Sequence, residues 1–97
     1  MSYVLVNRPV VVFEIDDIVE SYIDINRRLA FDFLDRLEQA KKLILNFPFA
    51  FQIKYKNVRT IGLMQFPYQI HYIVIEDTMQ IVILGVIHSS RNPKNLM

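Results

Sequence analysis

The chain has 97 residues, of which 53% are hydrophobic and 22% charged, and its net charge is +1 at pH 7. This length favours a single domain, residues 1–97, and the composition excludes an intrinsically disordered protein. Cysteine is absent, which excludes disulfides and thiolate sites. The two histidines, His71 and His88, have no carboxylate at ligand spacing, so we expect neither a metal site nor a cofactor.

The two halves of the chain differ in charge. Residues 1–40 contain four basic and eight acidic side chains, a net of −4, whereas residues 41–97 contain seven basic and two acidic ones, a net of +5. A basic surface suits nucleic acid or an acidic protein partner, and an ordinary solvated surface explains the same charges. No basic leader precedes residues 3–6, and the longest apolar run, residues 81–87, is far shorter than the ~20 residues of a membrane helix. We therefore expect a cytoplasmic protein.

A short strand and two helices are predicted in the first half of the chain. Residues 3–6 are typical of a strand. Apolar residues then recur at helical spacing at Ile15, Ile18, Val19, Tyr22 and Ile23, with Asp and Glu side chains between them that we expect to be solvated and without chemistry. Asn26 interrupts this pattern. A second helical stripe follows, and Pro48 ends it: Ala30, Phe33, Leu34, Leu37, Ala40 and Ile44. The short connection predicts an antiparallel helix hairpin.

The second half of the chain has the two-residue period of strands. Residues 51–55 and 58–61 alternate around a turn at residues 56–57, and two longer apolar runs follow at residues 69–76 and 81–87. In the last run Ile81, Ile83, Gly85 and Ile87 are predicted to share one face, opposite to Val82, Leu84, Val86 and His88. The predicted fold is α+β: a short N-terminal strand and an antiparallel helix hairpin packed on one face of a three- to four-stranded, mainly antiparallel curved sheet.

Several motifs in the second half occur together at a specific spacing. They are Val58-Arg59-Thr60-Ile61, Phe66-Pro67-Tyr68 with Tyr72 four residues on, and an apolar strand that ends in His88 and leads into Arg91-Asn92-Pro93. These motifs follow an acidic helix and a second helix along the chain. Taken together, this order of helices and motifs resembles the ParE side of the RelE/ParE superfamily over roughly residues 3–94. The usual ending there is His-x-x-Arg-Asp-Pro, and Asn92 replaces the Asp.

The resemblance implies a RelE/ParE-like fold and the toxin of a type II toxin–antitoxin module of the plasmid stabilisation kind, held inactive by a cognate antitoxin. Phe66, Pro67, Tyr68 and Tyr72 would be the structural family motif. RelE-like members are ribosome-dependent mRNA endoribonucleases that need cations to neutralise the transition state. At the corresponding positions this chain has neutral residues: Thr60, Gly62, Met64, Gln69 and Ser90. ParE-like members are instead described as inhibitors that bind DNA gyrase.

The leading interpretation is therefore a ParE-like toxin that binds a protein target through His88, Arg91, Asn92 and Lys94. A RelE-like ribonuclease using Arg59, His88 and Arg91 is the alternative, and a degenerate member that only binds its partner is the second alternative. For Arg59, contact with a phosphate or carboxylate from the open face of the sheet and an ordinary surface ion pair are both open. Apolar sheet faces and an open edge on the last hairpin predict an antitoxin-binding surface, and a protein that is poorly soluble or dimeric when isolated.

Overall fold

A computed structural model describes residues 2–90 of the chain, which form one strand, two helices and four further strands. In chain order these elements are β1 (Val4–Asn7), α1 (Pro9–Ile25), α2 (Arg27–Asn46), β2 (Ile53–Tyr55), β3 (Val58–Gly62), β4 (Tyr68–Ile75) and β5 (Gln80–His88). The predicted α+β fold is confirmed. The strand predicted at residues 51–55 is shorter than expected, because the chain bends at residues 50 and 51.

The five strands form one open, mixed sheet in the order β1-β5-β4-β3-β2. All neighbouring strands are antiparallel except β1 and β5, which run parallel with Val4 opposite Gln80 and Asn7 opposite Ile83. The prediction of an open edge on the last hairpin is wrong. β4 and β5 are covered on their outer sides by β3 and β1, so the edges of the sheet are β1 and β2.

The boundaries of both helices follow from local chemistry. Pro9 begins α1, where its missing N–H costs nothing. The Asn26 side chain accepts a hydrogen bond of 2.8 Å from the Arg28 N–H, so this residue ends α1 and caps α2. Helix α2 ends at Asn46, two residues before Pro48. Within residues 2–90, neither helix combines the length and the apolar character that crossing a membrane requires.

The core lies between the helix hairpin and one face of the sheet. Five of the six residues predicted for the α2 stripe are fully buried, and Leu34 is half-buried at its margin. On the strands, the core side chains are Ile61, Ile70, Tyr72, Val74, Ile81, Ile83 and Val86. We call this the helix-side face, and we call the opposite one the outer face.

A β-bulge in β5 changes the predicted alternation. Tyr72 pairs with Ile83 but His71 pairs with Gly85, so Leu84 is an extra residue on β5. Beyond the bulge the faces are exchanged: Val86 joins the core on the helix-side face, and Gly85 pairs with His71 on the outer face. The prediction that Gly85 and Ile87 share a face with Ile81 is therefore wrong, since strict alternation holds only up to Ile83.

Candidate functional site

The Phe-Pro-Tyr motif contributes two rings to an aromatic cluster beneath the helix hairpin. The Phe33 ring centroid lies 5.6 Å from that of Phe66 and 5.8 Å from that of Tyr68, both edge-on. Tyr22 of α1 joins the cluster at 5.3 Å from Phe66. Edge-to-face pairs at these separations stabilise a core beyond the burial of area alone. Phe66 and Tyr68 therefore fix the start of β4 against both helices.

Tyr72 connects the sheet to the segment that follows α2. Its side chain is fully buried, and its hydroxyl donates a hydrogen bond of 2.9 Å to the Pro48 carbonyl oxygen. Burial raises the pKa of Tyr72 to about 12, against a smaller lowering by Arg59. The phenol is therefore a neutral structural donor at physiological pH.

Substitution of Tyr72 by phenylalanine is expected to lower the free energy of unfolding by about 1–2 kcal/mol, because the Pro48 carbonyl loses its donor. The folded-state pKa of about 12 lies above the unfolded value of 10.0. The resulting stabilisation is complete below pH 10 and is lost as the pH rises to 12. Urea unfolding between pH 8 and 12 should show a steeper alkaline decline for the wild type than for the variant. Parallel declines would contradict this assignment.

Arg59 lies on the helix-side face, opposite Tyr72 on β4. Its Nη1 donates hydrogen bonds to the Phe51 carbonyl at 2.7 Å and the Phe49 carbonyl at 3.2 Å, and its guanidinium carbon lies 5.3 Å from the centre of the Phe49 ring. Neither sequence-based interpretation of Arg59, an open-face ligand or a surface ion pair, describes these contacts. Arg59 braces the segment between α2 and β2.

His88 ends β5 on the helix-side face, with its ring 5.3 Å from the Tyr68 ring. Its Nδ1 accepts a hydrogen bond of 3.2 Å from the Ser90 N–H and lies 2.8 Å from the Ser90 hydroxyl. Since a backbone N–H can only donate, the neutral imidazole carries its proton on Nε2. Neither nitrogen then offers a free lone pair for general-base catalysis. The exposed Nε2–H is a donor suited to binding.

His71 is more deeply buried than the sequence indicates, with 3% of its surface exposed on the outer face. Its Nδ1 lies 3.4 Å from the Tyr55 hydroxyl, which joins β4 to the edge strand β2. Burial lowers the pKa of His71, and the charge of Lys54 lowers it further. His71 is therefore a neutral structural residue.

Three of the five neutral residues that the family resemblance aligns with nuclease cations come together on the outer face. Thr60 pairs with His71, and Gly62 pairs with Gln69 on the neighbouring strand. The other two, Met64 and Ser90, are exposed. Of the candidate site residues, Arg91, Asn92 and Lys94 lie outside the described residues. Within residues 2–90, no group of three His, Asp or Glu side chains is arranged to hold a metal ion.

Glu14 has a structural contact that the sequence pattern does not indicate. It was predicted to belong to a solvated acidic face, but it is half-buried, and its carboxylate accepts a hydrogen bond of 3.1 Å from the Val86 N–H. Its position on the core-facing side of α1, next to Val11 and Ile18, was the available signal.

Comparisons with known proteins agree with this fold. The family model of the ParE toxin of the type II toxin–antitoxin system parDE matches residues 14–93. Among solved structures, the chromosomal ParDE toxin–antitoxin system from P. aeruginosa is similar, with a TM-score of 0.75 and 19% identity over 89% of this chain and 95% of that one. No match was found among curated proteins. Since the family model spans most of the sequence, the chain belongs to the ParE toxin family.

Proposed function

We propose that the protein is the toxin component of a type II toxin–antitoxin system and that it arrests growth in the cytoplasm by binding a protein target, DNA gyrase. Family membership supports the toxin class, and the chemistry of the outer face supports binding over RNA cleavage. The observation that supports this choice is that Thr60, Gly62 and Gln69, which are neutral at positions that the family resemblance aligns with nuclease cations, lie close together on the outer face.

The two described nuclease candidates also favour a binding function. Arg59 is engaged with two backbone carbonyls, and His88 uses Nδ1 to bond Ser90. A cation that assists phosphodiester cleavage must reach the scissile phosphate, and a general base needs a nitrogen whose lone pair is not already engaged in a hydrogen bond. We propose that the target contact lies at His88 and continues through Arg91, Asn92 and Lys94.

A cognate antitoxin is the proposed neutralising partner. Large apolar side chains are exposed on both helices and both edge strands, among them Val4, Phe13, Ile25, Phe31, Leu43 and Ile53. Surface of this kind is commonly covered in stable complexes. We expect the antitoxin to bury well over ~1,200 Å² in total, and the isolated toxin to be poorly soluble or dimeric.

Induced expression tests the proposal. We expect growth arrest while mRNA remains intact, together with inhibition of DNA supercoiling when purified toxin is added to gyrase. Coexpression of the antitoxin from the same operon should restore growth. Cleavage of mRNA at ribosomal positions would instead identify a RelE-like ribonuclease, and unaffected growth would identify a non-toxic member that only binds its partner.

A further inference from the structure

The bulge in β5 lies where the strand loses its neighbour β1. β1 pairs with β5 up to Asn7 opposite Ile83, and the Arg8 N–H then donates to the Ile83 carbonyl at 3.0 Å. From Pro9 the chain turns into α1, so among residues 2–90 no strand pairs with the next residues of β5 on that side. Leu84, the extra residue, is the first residue beyond this point.

The Glu14 side chain supplies the hydrogen-bond acceptor that a neighbouring strand would otherwise provide at this point of β5. Its carboxylate oxygen lies 3.1 Å from the Val86 nitrogen, so this N–H is bonded to α1 and not to a neighbouring strand. A hydrogen bond from a backbone N–H to a carboxylate is stronger than one to a neutral acceptor. It satisfies the donor at Val86, a residue of which only 3% is exposed.

The hydrophobic pattern of β5 does not select the bulged register. Residues on both faces are apolar: Ile81, Ile83 and Val86 on the helix side, and Val82 and Ile87 on the outer side. When both faces accept apolar side chains, a shift by one residue has a small hydrophobic cost. Without the bulge, Gly85 and Ile87 would lie on the helix side, and His88 would move to the outer face. Selection of the register therefore needs a specific polar contact.

We propose that Glu14 is a positioning residue that holds β5 in the bulged register and thereby places His88 on the helix-side face beside Tyr68. The structural part of this inference stands without a toxic activity. Its consequence for target binding rests on the proposed function.

Three variants test the structural part by NMR. In Glu14→Ala we expect the Val86 amide to exchange about 10- to 100-fold faster and the contact between the His88 and Tyr68 rings to be lost. Glu14→Gln retains an acceptor oxygen and should restore the ring contact. Asp17→Ala, which removes an exposed acid of the same helix, should leave both signals unchanged. A Glu14→Ala protein with the wild-type ring contact would overturn the proposal.

Deletion of Leu84 provides an independent test. Without this residue β5 is regular, and Val86 and His88 still lie on the helix-side face. Deletion in the Glu14→Ala background should therefore restore the contact between His88 and Tyr68, although the carboxylate remains absent. A double variant that lacks the contact would show that Glu14 does not act through the register.

Growth assays then test the consequence. Glu14→Ala should lose growth arrest, and both Glu14→Gln and the double variant should regain it. If the wild-type protein shows the contact between the His88 and Tyr68 rings but does not arrest growth, the proposed function is contradicted. The structural role of Glu14 is not affected by that result. A Glu14→Ala protein that loses the contact between the His88 and Tyr68 rings but remains fully toxic would show that target binding does not depend on the register of β5. That result would overturn the proposed consequence for toxicity.

Discussion

Replacement of Phe33 by alanine is expected to lower the free energy of unfolding by about 3–5 kcal/mol. The Phe33 side chain is fully buried, and its ring lies within 6 Å of the rings of Tyr22, Phe66 and Tyr68. Its removal leaves a cavity where both helices meet the start of β4. Since a domain of this size has only about 5–15 kcal/mol of stability, the variant should be largely unfolded at moderate urea concentration.

Phe31 provides the matched control on the same helix. It has the same side chain but is 60% exposed, so Phe31→Ala should change the unfolding free energy by no more than about 0.5 kcal/mol. Urea unfolding followed by circular dichroism measures both variants. A loss below about 1 kcal/mol for Phe33→Ala would show that the aromatic cluster can collapse around the missing ring.

Truncation after Ser90 is expected to abolish growth arrest and to leave the fold intact. The proposed target contact then loses Arg91, Asn92 and Lys94, whereas the helix hairpin, the five strands and their buried core side chains are all retained. The end of β5 keeps its anchor, because the Ser89 N–H donates to the Pro67 carbonyl at 2.9 Å. A truncated protein that folds normally but no longer arrests growth would show that the segment after Ser90 acts in target binding and not in folding.

Viable counts after induction measure the toxicity of the truncated chain, and its melting temperature measures its fold. We expect growth close to that of uninduced cells and a melting temperature within a few degrees of the wild type. Arg91→Ala alone should give part of the loss. Undiminished toxicity of the truncated protein would exclude the segment after Ser90 as the target contact.

The helix hairpin was predictable because its signals are local. The α2 stripe depends on the spacing of apolar residues within one helix, and the breaks at Asn26 and Pro48 depend on single side chains. The order of elements and the position of the Phe-Pro-Tyr motif could be read in the same way. This order of elements predicted an α+β fold, and the family resemblance then added the specific RelE/ParE-like form.

The site could be predicted only in part, because its geometry depends on contacts between distant residues. The hydrogen bond between Glu14 and Val86 joins residues that are 72 positions apart, and no sequence pattern within β5 indicates it. The role of Arg59 likewise depends on the carbonyls of Phe49 and Phe51, of which the first lies before the predicted strand and the second in its bent first part. The sequence shows which residues are polar. Tertiary contacts determine which of these polar side chains remain free to contact a partner.

The parallel pairing of β1 with β5 has a consequence for biosynthesis. Val4 lies opposite Gln80, so the first strand pairs with residues that follow it 76 positions later. Before β5 is synthesised, the nascent chain contains the helix hairpin, whose contacts are close in sequence. It still lacks β5, which lies between β1 and β4 in the sheet. Its β1 and the inner edge of β4 are then unpaired, and such edges invite pairing with other chains. Translation must pass Val86, the last core residue of β5, before the protein can complete its core.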